Sequence, residues 1–455
     1  MFKKSLYACV AVTYITGSFL FSEIQRIAVI GGGGSGLTTT WLLDEDYDVT
    51  LFESQDRLGG HANTVEINVD GSFVPIEAGF EFISEMYYPH FFHLLQNILN
   101  LPLHHYTMTT SYYRTNGHDK LFLPPFHDGK IEWKSFGFND IVTMVEFDHL
   151  LKKGKHLIKI QDVGISLEDF VEHLSLTRGF KDEFLYPFLA ANWGVTSEVI
   201  KTFSAYNALK YTMEGKEMKN YQWLEIVGGT QKYIQALANQ LINAQIKLST
   251  NIINITHDNS GYTIYEEDGT ISQFDYLVMG TNAIQARHLL RNVPETAEIR
   301  AILNHVDYFK TTIAIHGDDR FMPPHQHDWR VVNVRYDGVN SAMTAYKSWL
   351  SPDNPIFKSW VTLDVRNPKD TGSALPEPLY ALVHYDHPVA NLKYFQVQKA
   401  LSMIQGVNNL WFVGNYTFDN DSHESAIISA INVARELAPK SERFVRITNV
   451  EEPKF

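Results

Sequence analysis

Cysteine and positive charge are both scarce in this sequence. One of the 455 residues is a cysteine, Cys9, so an intrachain disulfide and a thiolate metal cluster are both excluded. The 38 lysine and arginine residues are outnumbered by 52 aspartate and glutamate residues, which gives a net charge of −14. Nucleic acids are bound by clustered basic side chains, and the sequence contains no basic run. We therefore expect no nucleic-acid partner.

Charged residues are also absent from a segment near the N-terminus. Lys3 and Lys4 are followed by 18 uncharged residues, from Ser5 to Ser22. This pattern is typical of a secretory signal peptide, and a helix of this length, about 27 Å, would nearly cross a bilayer. We therefore predict that residues 1–22 are a signal peptide or an N-terminal membrane anchor. The protein would then be periplasmic, secreted or held near a membrane. The alternative is a cytoplasmic protein with an apolar extension.

Metal ligands at diagnostic spacing are missing as well. The 19 histidines include two tight groups, His104-His105 and His325-x-His327, and neither has a third ligand nearby in the sequence. We therefore predict no metal. The rest of the composition is that of a large globular protein, because 44% of the residues are hydrophobic and 13% are aromatic. This length predicts two or three structural units.

A glycine-rich loop between two predicted strands is the strongest feature that the sequence contains. The apolar run 27–30 predicts a strand buried on both faces, and residues 37–43 predict the helix after the loop. A second strand, 49–52, leads to Glu53, which lies 22 residues after Gly31. This is the spacing of a βαβ dinucleotide-binding unit, with a G-x-G-x-x-G loop and an acid about 20 residues further on.

Each position of this unit has a physical reason. Gly31 forms the tight turn, Gly33 lets the backbone approach a pyrophosphate, and Gly36 allows the helix to pack closely on the strand. The helix N-terminus faces the phosphates, and Glu53 accepts hydrogen bonds from the ribose. The residues predicted to bind the dinucleotide here are Gly31, Gly33, Gly34, Ser35, Gly36, Glu53 and Ser54.

The segment that follows the acid points to a family. Residues 56–64, DRLGGHANT, together with the glycine-rich loop resemble the flavin-containing amine oxidase and phytoene desaturase superfamily. In that superfamily an R-x-G-G motif wraps the FAD. The resemblance implies that Arg57 reaches the cofactor and that Gly59 and Gly60 admit it closely. His61 stands where the superfamily often has arginine, and it joins the predicted cofactor-binding residues.

Further motifs narrow the resemblance to a subgroup. The sequence ANW at 191–193, the run from Trp223 to Gly229 and the HE pair at the start of the last helix are similar to bacterial FAD-dependent oxidoreductases associated with cyclopropane fatty acid synthases. The resemblance spans roughly residues 26–437.

The resemblance implies an α/β fold in which a Rossmann-like FAD-binding domain of the GR2 type is interleaved with an α+β substrate domain. The FAD-binding domain would consist of residues 24–90, 226–285 and 405–440. The substrate domain would consist of residues 91–225 and 286–404, and residues 441–455 would form a C-terminal tail. Residues 246–255 predict one strand, and the resemblance implies that Ile252 or Ile253 of this strand places its backbone beside the adenine. A helix is predicted from Thr230 through Leu241.

The last segment predicts a strand, a glycine and a helix. The apolar run 410–413 leads into Gly414, and Asp421 and Glu424 have the spacing of a capping box for a helix that continues to Leu437. In the superfamily this unit meets the flavin, where the helix dipole stabilises negative charge. The resemblance therefore adds five cofactor-binding residues, which are Gly414, Asn415, Glu424, Ser425 and Ala426.

The sequence is less informative about catalysis. Flavin supplies hydride acceptance, and many amine oxidases of the superfamily also hold a lysine near flavin N5. The matching segment, 281–288, contains no lysine, so Arg287 and His288 become the nearest candidates, and Lys310 comes too late in the chain. His423 is the third catalytic candidate, through proton handling or substrate contact. Its alternative is a helix-start histidine bonded to a backbone group.

These features predict an FAD-dependent oxidoreductase that transfers hydride from an apolar or lipid-like substrate to flavin N5. Oxygen or a membrane carrier would be the acceptor. The FAD would be non-covalent, because Cys9 is remote in sequence from the flavin site. Three alternatives stay open, namely an amine oxidase for a bulky amine, an FAD-dependent desaturase or isomerase, and a redox-silent FAD-binding module.

Overall fold

The computed structural model of the protein describes residues 24–69, 71–116, 120–123, 126–127, 130–131, 138–214, 222–366 and 372–450. The predicted signal peptide or anchor, residues 1–22, lies outside these ranges. Among the residues that are described, no helix is both long and apolar enough to cross a membrane.

The described strands are β1 Arg26–Ile30, β2 Asp48–Phe52, β3 Thr64–Val69, β4 Ser72–Glu77, β5 Leu103–Thr107, β6 Thr110–Arg114, β7 Lys120–Leu123, β8 Phe126–His127, β9 Lys130–Ile131, β10 Gln222–Ile226, β11 Gln245–Lys247, β12 Ile252–Asp258, β13 Gly261–Glu266, β14 Ile271–Phe274, β15 Tyr276–Met279, β16 Tyr308–His316, β17 Val332–Tyr336, β18 Ser341–Tyr346, β19 Phe357–Trp360, β20 Leu379–Pro388 and β21 Leu410–Phe412.

The described helices are α1 Gly34–Leu43, α2 Pro89–His93, α3 Phe138–Lys159, α4 Leu167–Glu172, α5 Arg178–Phe180, α6 Tyr186–Trp193, α7 Ser197–Lys201, α8 Ala205–Glu214, α9 Gln231–Asn239, α10 Ala283–Leu289, α11 Ala297–Leu303, α12 Leu392–Ser402, α13 His423–Leu437 and α14 Glu442–Thr448.

The predicted dinucleotide-binding unit forms the centre of a parallel sheet. Its five strands run in the order β11-β2-β1-β15-β21, and Ala28 of β1 lies between Thr50 and Leu277. Ile27, Ala28 and Val29 are fully buried, as expected of a strand covered on both faces. The carboxyl ends of these strands share one edge, where open α/β sheets bind their ligands.

A second, mixed sheet of seven strands belongs to the other half of the fold, in the order β20-β16-β19-β18-β17-β6-β7. All of its pairings are antiparallel except that of β17 with β6. Its strands come from the segments 91–225 and 286–404, which the sequence assigns to a substrate domain. The combination confirms the predicted α/β class with a parallel FAD-type sheet and a substrate-domain sheet.

Two predicted elements have different bounds in the structure. The single strand predicted over 246–255 is two strands in different sheets, because the chain turns at Ser249, whose φ of 50° is left-handed. β11 joins the parallel sheet, whereas β12 begins a three-stranded antiparallel sheet with β13 and β14. The helix predicted through Leu241 ends at Asn239.

The prediction of a tail over 441–455 is wrong for its first part, because α14 packs on the parallel-sheet unit. Arg443 is 6% exposed, and its guanidinium donates to the carboxylate of Asp44, 3.1 Å away, and to the carbonyl of Trp41 at 2.6 Å. Asp44 is fully buried and also accepts the N–H of Asn243 at 2.8 Å. This ion pair fastens the last described helix to the end of α1.

Candidate active site

The glycine-rich loop has the geometry that its sequence predicts. Gly31 has a φ of +104°, and a Cβ at Gly36 would lie 1.9 Å from the carbonyl oxygen of Gly31, so only glycine allows this packing. A Cβ at Gly33 would meet nothing within 4 Å, because this position faces open space in front of the N-terminus of α1. The loop therefore leaves room for a ligand at the helix N-terminus.

Glu53 closes this loop at the end of β2. Its Oε2 accepts the N–H of Gly32 at 2.7 Å, and its Oε1 accepts the N–H of Gln55 at 2.8 Å. The carboxylate thus lies at the mouth of the loop, next to the space in front of Gly33. An acceptor at this position is what a ribose hydroxyl requires.

Arg57 organises the following turn. Its guanidinium donates to the carbonyl of Gly60 at 3.0 Å, and Gly59 and Gly60 have φ values of +117° and +56°. The N–H of Gly59 donates to the carbonyl of Gly32 at 2.8 Å, so the two glycine-rich turns lie side by side.

One cavity of about 1570 Å³ joins both turns to the seven-stranded sheet. Ligand pockets commonly occupy about 300–1,000 Å³, so this cavity has room for more than one drug-sized molecule. The predicted site residues that line it are Gly31, Gly33, Gly34, Ser35, Glu53, Ser54, Arg57, Gly59, Gly60, His61, Ile252, Arg287, His288, Gly414, Asn415, His423 and Ala426. Three others, Gly36, Glu424 and Ser425, are not part of its lining.

Glu424 has a different partner from the one that the sequence suggests. Its Oε1 and Oε2 accept the N–H groups of His90 and Phe91, each at 2.9 Å, so it caps the N-terminus of α2. The N-cap of α13 is Ser422, whose hydroxyl accepts the N–H of Ser425 at 3.0 Å. The predicted capping box of Asp421 and Glu424 is therefore wrong.

The far wall of the cavity is one face of the seven-stranded sheet. The cavity is lined by Lys358 and Trp360, which share one face of β19, and by all six residues from Val383 to Pro388 of β20. The ring of His61 stacks on Tyr385 with a centroid distance of 4.5 Å. The cavity thus lies between the glycine-rich turns and this sheet.

Comparison with known proteins identifies the family. The family model for flavin containing amine oxidoreductases matches residues 35–386. The chain belongs to this family. Polyamine oxidase 4 of Oryza sativa subsp. japonica is 24% identical over 332 residues, which are 68% of this chain and 63% of that relative, so the match spans less than two thirds of it.

Two solved structures share the fold of this family member. A fatty acid isomerase from P. acnes that produces CLA has a TM-score of 0.64 at 15% identity, over 91% of this chain and 99% of that one. Wild-type putrescine oxidase bound to putrescine has a TM-score of 0.65 at 12% identity, over 91% and 99%. At these identities the two likenesses show the fold alone.

FAD fits the residues that this amine oxidoreductase presents. The open space at Gly33, the acceptor Glu53 and the turn at Gly59 form one continuous side of the cavity. Gly414, with a φ of +131°, lies at the other side, and its N–H donates to Ser429 at 2.8 Å. These residues would hold the nucleotide and the flavin, whose N5 supplies hydride acceptance.

Arg287 and His288 lie at the nucleotide side of the family's cofactor site. Both are in the last turn of α10, which packs against β12, and β12 begins at Ile252. The N–H of Thr250, two residues earlier, donates to the carbonyl of Glu53 at 2.9 Å. This placement favours contact with the nucleotide over catalysis at the flavin.

His423 lies where three helices meet. Its Nε2 is 2.7 Å from the hydroxyl of Tyr233, and its ring stacks on Phe80 at 4.5 Å with an interplanar angle of 10°. Burial lowers the pKa of His423 to about 3, so the imidazole is neutral at physiological pH. It therefore contacts a side chain and not the backbone group of the alternative hypothesis.

The same cavity is lined by a lysine, Lys358, that the sequence analysis does not identify. Lys358 is 3% exposed, and its ammonium donates to the carbonyl of Gly79 and to Glu81 Oε1, 2.8 Å away. Burial lowers its pKa, although Glu81 acts in the opposite direction. Lys310, by contrast, is exposed on β16. Lys358 therefore brings a lysine to the cavity, although the segment 281–288 contains none.

Asp421 is the second functional candidate that sequence analysis misses. Its carboxylate accepts a hydrogen bond from the side-chain amide of Asn415, and its N–H donates to Oδ1 of Asn207 at 2.8 Å. Burial raises the pKa of Asp421 to about 7. The sequence signal was present, since Asp421 immediately precedes the N-cap Ser422, but the pattern suggested a cap.

The substrate end of the cavity is apolar. α3 contributes Met144, Phe147 and Leu151, which share one helical face, and α6 contributes Phe188. The sheet contributes Ile313, Val332 and Met343. Asp148 lies on the same face of α3, and its carboxylate is 2.6 Å from the ammonium of Lys152.

Within the described ranges no group of three potential ligands for a metal ion was found.

Proposed function

We propose that the protein takes hydride from an apolar or lipid-like substrate and transfers it to non-covalently bound FAD. Oxygen or a membrane electron carrier would then reoxidise the flavin. The observation that carries this proposal is the substrate end of the cavity, where α3, α6 and the sheet present apolar side chains. Burial of apolar surface contributes about 25 cal/mol per Å², so this lining favours a long hydrocarbon group.

The ionic groups of the cavity are compatible with this substrate class. Glu81 lies between two ammonium groups, 2.8 Å from Lys358 Nζ and 3.1 Å from Lys347 Nζ. Its charge is therefore compensated within the protein, and it does not need an ammonium group from a substrate. An uncharged hydrocarbon group can fill the adjoining space without leaving these charges unpaired.

Anaerobic stopped-flow mixing with linoleic acid, dodecylamine and putrescine tests the proposal. We expect linoleic acid to bleach the flavin absorbance and putrescine to leave it unchanged. Bleaching by dodecylamine alone would overturn the lipid assignment in favour of a bulky amine. Conversion of linoleic acid to an isomer without net bleaching, detected by gas chromatography, would indicate an isomerase. A photoreduced flavin that oxygen fails to reoxidise would support the redox-silent module.

A pair of substitutions on α3 tests whether the apolar lining binds the substrate. Met144→Gln places an amide in the cavity, whereas Val145, 64% exposed, lies on the other face of the helix. We expect Met144→Gln to raise KM for the hydrocarbon substrate about tenfold while Val145→Thr leaves it unchanged. Equal KM values in both variants would remove α3 from the substrate site.

A bulky amine is the second candidate, and one observation favours it. Asp421 lines the cavity, and its carboxylate accepts a hydrogen bond from the uncharged side-chain amide of Asn415. A substrate ammonium group could form an ion pair with it. The dodecylamine measurement described above decides between the two candidates.

We also propose that the protein is exported. The motive is the Lys3-Lys4 start and the uncharged run to Ser22. We expect the mature chain to begin between residues 18 and 24. Intact-mass measurement on protein from the native host tests this, and a full-length species in the cytoplasm would contradict it.

A further inference from the structure

Oxidation of a single bond to a double bond releases a proton as well as a hydride. The hydride carries the electron pair to the flavin, and the proton that leaves the neighbouring atom must be accepted inside the cavity. A side chain of the protein that accepts this proton accelerates such a step, commonly by about 10²–10⁴-fold.

Three of the five histidines that line the cavity are poor acceptors. Burial lowers the pKa values of His423 and His387 to about 3 each. Loss of water contacts and the nearby Arg57 lower the pKa of His61 to about 4. A proton transferred to any of these rings would leave again at neutral pH. Glu81 is no better placed, because two lysines hold the pKa of its carboxyl below the usual range against the effect of burial.

Asp421 differs from these groups in both position and partners. It lies one residue before the N-cap of α13, between Asn415 on one side and Ser422 and His423 on the other, and all four line the cavity. The amide of Asn415 orients its carboxylate, and Asn207 fixes its backbone. Both contacts position the group without neutralising it.

The charged and titratable groups around Asp421 leave it free to take up a proton. Tyr308 of β16 and Tyr394 of α12 face it, and burial, together with the nearby Asp421 carboxylate, raises the pKa of each tyrosine hydroxyl. The nearest ion pair on its own loop joins Asp419 to Lys210 at 2.6 Å, so that cation is already paired. Hydrogen bonds from Asn415 and Trp193 only partly offset the burial that brings the pKa of Asp421 to about 7.

We propose that Asp421 is a catalytic residue that accepts the proton released by the substrate as its hydride leaves. One C–H bond breaks, and its hydrogen leaves with both bonding electrons, as hydride, to the flavin. A second bond, from the neighbouring atom to hydrogen, breaks and leaves its electron pair to form the double bond, and its proton joins the Asp421 carboxylate. This inference rests on the proposed function only in that the substrate is oxidised, and it applies equally to a hydrocarbon and to an amine.

Infrared difference spectroscopy on photoreduced holoprotein tests the proposal without a substrate. At pH 8 Asp421 begins ionised, and electrons entering the cavity should draw a proton to it. We expect the carbonyl stretch of a neutral carboxylic acid to appear on photoreduction of the wild type and to be absent in Asp421→Asn. The control variant Asp419→Asn, two residues away and outside the cavity lining, should retain the signal. Its absence in the wild type, or its persistence in Asp421→Asn, would overturn the assignment.

A kinetic measurement adds an independent readout. With whichever of linoleic acid and dodecylamine bleaches the wild-type flavin, the bleaching rate should increase with pH through about 7, because the ionised carboxylate is the acceptor. Asp421→Asn should be slower by about 10²-fold or more and should lose this pH dependence. A rate within twofold of the wild type would refute the role. If neither compound bleaches the flavin, the lipid proposal fails and the infrared result still decides the fate of Asp421.

Discussion

The hydroxyl of Tyr233 lies 2.7 Å from Nε2 of His423, and this hydrogen bond joins α9 to the first residue of α13. Gly34, the first residue of α1, completes the junction, since a Cβ there would lie 2.7 Å from Cε1 of His423 and 2.9 Å from the Tyr233 hydroxyl. Three helices from distant parts of the sequence therefore meet at one point beside the cavity. Glycine is therefore required at position 34 by the side chains of His423 and Tyr233.

Substitution by alanine should affect stability at one glycine of this loop and FAD binding at another. Gly36→Ala places a Cβ 1.9 Å from a backbone oxygen, so we expect it to destabilise the fold by about 1–3 kcal/mol. Gly33→Ala meets no protein atom within 4 Å, so it should leave unfolding unchanged and weaken FAD binding. Urea unfolding of the apoproteins and FAD titration separate the effects, and equal loss of stability in both variants would contradict this division.

Glu53→Ala should weaken FAD binding more than it changes the fold. Hydrogen bonds to charged groups contribute about 1.5–3 kcal/mol, which corresponds to roughly 10- to 150-fold in the dissociation constant. Because Glu53 also accepts the N–H groups of Gly32 and Gln55, Glu53→Gln is the matched control that retains one acceptor oxygen. Flavin fluorescence quenching measures the affinity, and an unchanged dissociation constant in Glu53→Ala would remove the ribose assignment.

The FAD is expected to be released by acid precipitation, because the chain has a single cysteine, Cys9, which precedes the first strand. All yellow colour should then be found in the supernatant. Flavin retained in the pellet would instead indicate a bond to a histidine, and His61 and His423 line the cavity. Mass spectrometry of the digested pellet would identify which ring carries it.

Folding stability should decrease below pH 6.5 in part because of His316. This side chain is fully buried, and burial lowers its pKa to about 3, whereas in the unfolded chain it is near 6.5. The unfolded state therefore binds a proton first as the pH falls, which costs about 2 kcal/mol of stability at pH 5. In His316→Gln, the change in unfolding free energy between pH 7 and pH 5 should be smaller by this amount. An unchanged difference, or the same reduction in the exposed control His173→Gln, would contradict the prediction.

The parts of the site that could be predicted are those whose partners are close in sequence. The loop from Gly31 to Gly36 and Glu53 belong to one βαβ unit, so their spacing alone predicts their geometry. Glu424 was assigned wrongly because a local partner, Asp421, has the right spacing, whereas its actual partners are on α2, 334 residues away for His90. Local spacing gives no information about such tertiary contacts.

The cavity wall formed by the second sheet could not be predicted for a related reason. Lys358, Tyr385 and His387 come from strands that pair only when the fold is complete, through β16 between β19 and β20. The alternation of exposure along β20, where Val383, Tyr385 and His387 are less exposed than the residues between them, arises only in the folded sheet. Which side faces the glycine-rich turns is decided by packing and not by any motif.

The ion pair between Arg443 and Asp44 has a consequence for the order of events during synthesis. Asp44 ends the first helix of the nucleotide-binding unit and is fully buried, yet its cationic partner is made 399 residues later. A growing chain thus carries an unpaired carboxylate at this position, and unpaired buried charges are costly. Because Asp44 is buried in the complete fold together with Arg443, we expect the nucleotide-binding unit to reach its full stability only after residue 443 has been synthesised.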